Sequence, residues 1–149
     1  MRIKRIADLI CKKYNTRDPF KLAHELKIYT VFDPLIEVNG YYIYDGHIKM
    51  ICISNICSEE EQRFICAHEL GHAVLHSDIN ISFFKSKTFY PVEKIEREAD
   101  KFAIDLLFSD EDMEEYLQLS SPDIAEHLNL PLELVEYRLS VIEKKPMWT

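Results

Sequence analysis

Glycine is scarce in this chain, at three residues in 149, and proline stands at six. So little of either leaves small room for flexible linkers between modules. Basic residues are outnumbered, and the formal net charge is −8. A chain this acidic is repelled by phosphate backbones rather than steered to them, so no direct nucleic-acid binding is expected. The lysines and arginines near the start (Arg2, Lys4, Arg5, Lys12, Lys13) fit the wet face of a helix. The four cysteines, Cys11, Cys52, Cys57 and Cys66, form no C-x-x-C pair, which argues against a zinc knuckle or a redox motif. No apolar run is long enough to cross a bilayer, and charges interrupt the N-terminal segment too often for a secretory leader. These absences predict a reduced, cytoplasmic protein with no membrane partner.

What is present is a patterned chain, 47% hydrophobic and long enough for a real core. Ile3, Ile6, Leu9 and Ile10 recur with a helical period over residues 2–14. Asp18-Pro19 opens a second helix, with Asp as N-cap and Pro in the first turn. Residues 28–32 are β-branched and aromatic, a strand. Residues 39–54 read as a hairpin about Asp45-Gly46. Ser58 and Glu61 form a capping box that starts a helix running to about His76. An aromatic loop follows over 77–92, carrying Phe83, Phe84, Phe89 and Tyr90. Further helices are predicted over 92–108 and 110–115, from Ser121-Pro122, and from Pro131 to about Glu143. The expected fold is α+β, a small antiparallel sheet with surrounding helices. It is expected to form one domain over 1–149, with a C-terminal helical segment at about 110–144.

The helix from Ser58 carries His68-Glu69-Leu70-Gly71-His72, an H-E-x-x-H motif. Residues i and i+4 lie about 40° apart around a helix and about 6 Å apart along it. Two imidazoles so placed can reach one zinc ion, each at about 2.0–2.1 Å. Glu69 lies about 100° round from His68, off the ligand face but within reach of a water on the metal. It is the candidate general base. Gly71 costs helix stability of roughly 1 kcal/mol, which a close-packed neighbour beside the metal face would explain. Cys66, Leu70, Ala73 and Val74 fall on the opposite, core-facing side, and Cys66 reads as a small core residue.

The third ligand must come from Glu96 or Glu98. Glu96 shares a helical face with Asp100, Ala103 and Leu107, whereas Glu98 shares one with Lys94, Lys101 and Asp105, which reads as solvated surface. Glu96 is therefore the inward choice, and Asp100 one turn on can hold a ligand imidazole in its tautomer. Without a metal, Glu96 and Asp100 would be a buried polar pair needing other compensation. His76, one turn past His72, is either an outer-shell group or a satisfied helix-end histidine. His24, His47 and His127 have no visible partners.

The capped His68-Glu-Leu-Gly-His-Ala-Val-Leu-His76 helix and the Glu96-Arg-Glu-Ala-Asp-Lys-Phe-Ala-Ile-Asp-Leu-Leu107 segment together resemble the ImmA/IrrE family of metallopeptidases. The Asp18-Pro19-Phe20-Lys21-Leu22-Ala23 segment resembles that family's start, so the likeness covers about residues 1–110. It implies zincin chemistry, with the two histidines and the first glutamate of E-x-x-A-D as ligands. It also implies a bacterial or phage protein acting on a helix-turn-helix repressor. Residues 121–142 resemble part of a helix-turn-helix themselves, but Glu133 and Glu136 at the recognition position would repel phosphate, so the segment reads as packing. Three classes stay open: a zinc endopeptidase, a metal-binding module that inactivates a partner without cutting it, and a DNA-binding regulator. Glu69 favours the first, since a structural site needs no base and is usually closed by four ligands. Two histidines and a carboxylate also suit Mn2+ or Fe2+.

Overall fold

A computed structural model describes residues 2–77 and 92–143. Helix α1 (Arg2–Tyr14) turns Ile3, Ala7 and Cys11 inward at successive turns and ends where Asn15 takes a left-handed φ of 54°. Helix α2 (Pro19–Glu25) is capped by Asp18, whose Oδ1 accepts the Phe20 N–H at 2.9 Å. Strand β1 (Ile28–Asp33) follows, then β2 (Gly40–Tyr44) and β3 (Lys49–Ser54). The β2–β3 turn is held by Asp45 Oδ1, which accepts from His47 N and Ile48 N at 2.8 and 2.7 Å, while Gly46 supplies a φ of 96°.

The α+β class is as expected, but the sheet is mixed rather than antiparallel. The hairpin pairs antiparallel, Tyr42 opposite Ile51, whereas β1 runs parallel to β3 from Ile28–Lys49 to Asp33–Ser54. The order is β1-β3-β2. Residues 34–39 arch over the end of β3, so β2 descends on its far side and the hairpin return fills the middle. Ser54 stitches the arch: its N–H donates to Asn39 O at 2.8 Å and its Oγ donates to Leu35 O at 2.9 Å. Buried backbone groups need such partners, and here they set the strand order.

Four residues after β3, the Ser58–Glu61 capping box starts α3 (Glu59–Leu75). Helix α4 (Val92–Leu107) packs on α3 and α1. Residues 78–91, including the aromatics of the expected loop, lie outside the described residues. The short helix α5 (Asp110–Glu114) has its own capping box, Ser109 with Asp112. Helix α6 (Ser121–Leu128) ends at Asn129 in a left-handed turn, and α7 (Leu132–Ser140) follows. Ile124, Ala125 and Val135 build a small second core between α6 and α7, and α7 also packs on α4. The main core gathers α1, α2, the sheet, α3 and α4, with Leu22, Tyr42, Ile51, Ile53, Leu70 and Phe102 buried in it. Among the described residues no helix is long and apolar enough to cross a membrane.

Gly71 sets the distance between α3 and α4. A Cβ there would stand 3.1 Å from Phe102 Cβ and 3.2 Å from Ala99 Cα. Gly71→Ala is therefore expected to destabilise the fold by roughly 1–3 kcal/mol through overpacking, outweighing the helix-propensity gain of about 1 kcal/mol. Urea denaturation checks this, and a stabilised variant would mean that the two helices separate without strain.

Candidate metal centre

Helix α3 presents His68 and His72 on adjacent turns, with ring centroids 4.9 Å apart and ring planes at 85°. Because Gly71 lets α4 in close, Glu96 reaches both imidazoles. His68 Nε2 stands 3.0 Å from Glu96 Oε2, and His72 Nε2 stands 3.1 Å from Glu96 Oε1. One carboxylate thus faces two ring nitrogens, one oxygen to each. Glu69 is buried on the cleft side, its Oε2 3.9 Å from His68 Nε2. His68, Glu69 and His72 also bring one ligand atom each within 4.8 Å of one another. Proximity alone would thus take Glu69 as the third donor, but Glu96 stands 3.0 and 3.1 Å from the two nitrogens, whereas Glu69 is 3.9 Å from His68 Nε2.

The outer atoms are paired as well. His68 Nδ1 lies 2.7 Å from Asp100 Oδ1. His72 Nδ1 lies 3.1 Å from His76 Nδ1, and His76 Nε2 lies 3.1 Å from Glu98 Oε1. Burial disfavours a charge on His68, but its hydrogen bonds to Asp100 and Glu96 outweigh that and push its pKa up to about 10. His72 goes the other way: burial dominates and holds its pKa below the ordinary value. Of two rings sharing one carboxylate, His68 therefore takes the proton. Burial would raise Glu96, but the two imidazoles hold it well below the usual carboxylate range.

This donor set fits a divalent metal. Two imidazole nitrogens and a carboxylate lie together, donors of the kind that would hold an ion such as zinc. Ligation through Nε2 puts the ring proton on Nδ1, and each Nδ1 has an acceptor in place, Asp100 for His68 and His76 for His72.

Glu98 is not where the wheel put it. Its expected solvated face is partly covered, because α7 packs there: Asp105 is fully buried against Tyr137 and Arg138. Glu98 itself holds His76 and approaches Arg2 at 3.9 Å. The signal for it was the His68, His72, His76 stripe at four-residue spacing, whose last member needed an acceptor. The core-facing residues are as expected, with Cys66, Leu70 and Ala73 buried and Val74 partly so, and burial pushes the Cys66 thiol up to about 12. That value suits packing rather than nucleophilic work.

An H-E-x-x-H helix on a small mixed sheet, faced by a glutamate from a second helix, is a candidate metal centre. The chain belongs to the IrrE N-terminal-like domain family, Peptidase M78, whose family model matches residues 23–140. It is 36% identical over 139 residues to the uncharacterized immunity region protein 2 of Bacillus phage phi105, covering 91% of this chain and 88% of that one. It is 29% identical over 144 residues to the metallopeptidase ImmA of Bacillus subtilis (strain 168), covering 94% and 85%. In fold it is similar to a Mycobacterium tuberculosis transcriptional regulator, with a TM-score of 0.62 at 16% identity. That alignment covers 97% of this chain but only 48% of the regulator's, so the chain spans about half its length.

Proposed function

We propose that the protein is a cytoplasmic zinc-dependent endopeptidase that cuts a helix-turn-helix repressor of a phage or bacterial mobile element. The observation that carries the chemistry is the Glu96 carboxylate facing His68 Nε2 and His72 Nε2, with Glu69 beside them. In this reading His68, His72 and Glu96 hold the metal, and Asp100 and His76 orient the two imidazoles from behind. Zinc, when bound, supplies Lewis-acid polarisation of the scissile carbonyl and lowers the pKa of water. Glu69 takes the proton of the attacking water and returns it to the departing amine. Manganese or iron would satisfy the same donors.

Strand β2 is an edge of the sheet, and its start lies against the cleft. At Gly40 a Cβ would stand 2.5 Å from Ile65 Cγ2, so only glycine lets the strand come this close to α3. An extended peptide can add to that edge and pass over Glu69. Support for the repressor comes from the relatives, one named a metallopeptidase and one an immunity region protein of a phage. The net charge of −8 also suits a partner basic enough to bind DNA. Helices α5 to α7 act here as a supporting segment of a single zincin-like domain.

The ligand assignment has a direct test in metal analysis. His68→Ala and Glu96→Ala are expected to purify without metal. Glu98→Ala should keep it, and Asp100→Ala should weaken it by roughly 10–100-fold. Full occupancy in the first two would refute the assignment. With the His68 pKa near 10 in metal-free protein, metal uptake at neutral pH must displace about one proton. Apparent affinity should therefore rise with pH, and calorimetry in buffers of different ionisation heat reads the proton count.

A further inference from the structure

We infer that the peptidase selects its cleavage site by a bulky apolar side chain, bound in a pocket beside the metal cleft. The inference rests on the peptidase reading and adds the class of peptide it accepts. Two cavities meet on this face. The metal cleft, about 320 Å³, is lined by Gly40, His68, Glu69 and Glu96. The second, about 300 Å³, is lined chiefly by Phe64, Ile65, Leu107, Phe108, Leu128 and Leu130. Asn39, Phe64 and Ile65 line both, so the two are neighbours that share a wall.

The spacing suits an extended substrate. Phe64 lies one helical turn before His68, about 6 Å along the axis. An extended chain advances about 3.3 Å per residue. A peptide whose scissile bond lies at the metal ligands therefore brings a side chain one or two residues away over the apolar pocket. The chemistry of the walls then decides which side chains stay. Leucine, methionine or phenylalanine buries its surface there, while glycine leaves the pocket unfilled. Glu60 and Glu61 outnumber Arg63 among the charged residues of the same pocket, which disfavours an acidic anchor. Four segments build it: Asn39 of the arch, the start of α3, the end of α4 and the α6–α7 turn. This gives the C-terminal helices a part in substrate selection.

The experiment uses the full chain and a set of ten-residue peptides that differ at one position, carrying glycine, aspartate, leucine or phenylalanine. Cleavage is measured with the zinc-loaded protein, and binding with Glu69→Gln by fluorescence anisotropy. The expected result is a preference of roughly 10–100-fold for leucine and phenylalanine over glycine and aspartate at one position near the scissile bond. Phe108 is only partly buried, and Arg138 is held by its backbone carbonyl rather than its ring, so replacing the ring removes little core packing. Phe108→Ala should weaken the preference, and Phe108→Lys should shift it toward aspartate. Methyl NMR of wild-type protein gives a second readout, with the Leu107, Leu128 and Leu130 signals shifting on addition of the leucine peptide. Equal affinity for all four peptides, or methyl signals that do not move, would overturn the pocket. Cleavage without side-chain preference would remove the pocket and keep the peptidase. Leucine-dependent binding without any cleavage would do the reverse.

Discussion

Glu69→Gln is expected to abolish turnover of the proposed repressor substrate, by roughly 10²–10⁴-fold or more, while leaving the metal content unchanged. The amide has nearly the shape of the carboxylate, so the side chain can stay in its buried place 3.9 Å from His68 Nε2. What it loses is the basic oxygen that accepts the proton of water. The same variant also separates competing roles for this residue. If metal is lost together with activity, Glu69 is a ligand, and the proximity of His68, Glu69 and His72 describes the site better than Glu96 does. If metal and repressor inactivation both survive, the protein disables its partner by binding rather than by cutting. Metal content, cleavage on gels and release of the repressor from its operator should all be measured on one preparation.

The second large effect is on stability. Arg138 is fully buried in α7. Its Nε and Nη2 donate to Phe108 O at 3.1 and 2.9 Å, Nη2 also reaches Asp110 Oδ1 at 2.7 Å, and Nε lies 3.7 Å from Asp105 Oδ1. Arg138→Ala would remove the guanidinium from Asp105 and leave Asp110 with Lys4 alone, whose Nζ stands 3.0 Å from its Oδ2. Breaking a buried pair from one side typically costs about 3–5 kcal/mol. Urea unfolding should register a loss of that order, and one below about 1 kcal/mol would mean that water replaces the guanidinium. Asp105 adds a pH dependence of known sign. Burial raises its pKa from 3.8 to about 6, against the Tyr137 hydrogen bond and Arg138. The folded state thus holds this proton more tightly than the unfolded chain does. Its contribution is complete below pH 4 and fades as pH rises through about 6. Relative to Asp105→Asn, the wild type should lose stability across that window.

Much of the site could be read along single helices. The Ser58–Glu61 box, the histidine pair and the inward face of Glu96 all depend on local periodicity, and α3 and α4 keep it. What could not be read depends on segments far apart in sequence. The parallel pairing of β1 follows from the 34–39 arch and its stitching by Ser54, and no alternation pattern distinguishes that from an antiparallel edge. Asp105 counted as surface because its own helix says nothing of α7, which covers it. Glu98 was misjudged for the same reason, since its partner His76 lies on another helix. The close-packed neighbour expected at Gly71 is there, and it is α4.

Because β1 and β2 flank β3, the strand that leads into α3 has ladders on both sides. Its amide hydrogens should exchange with deuterium only in the rarest openings of the molecule, while β1 and β2 can fray at their outer edges. The link from Ser54 to the Ser58 cap is four residues long, so the start of α3 is tethered to that slowest-exchanging segment. A substrate prising at the β2 edge could therefore loosen that strand transiently without unseating the helix that carries His68 and His72.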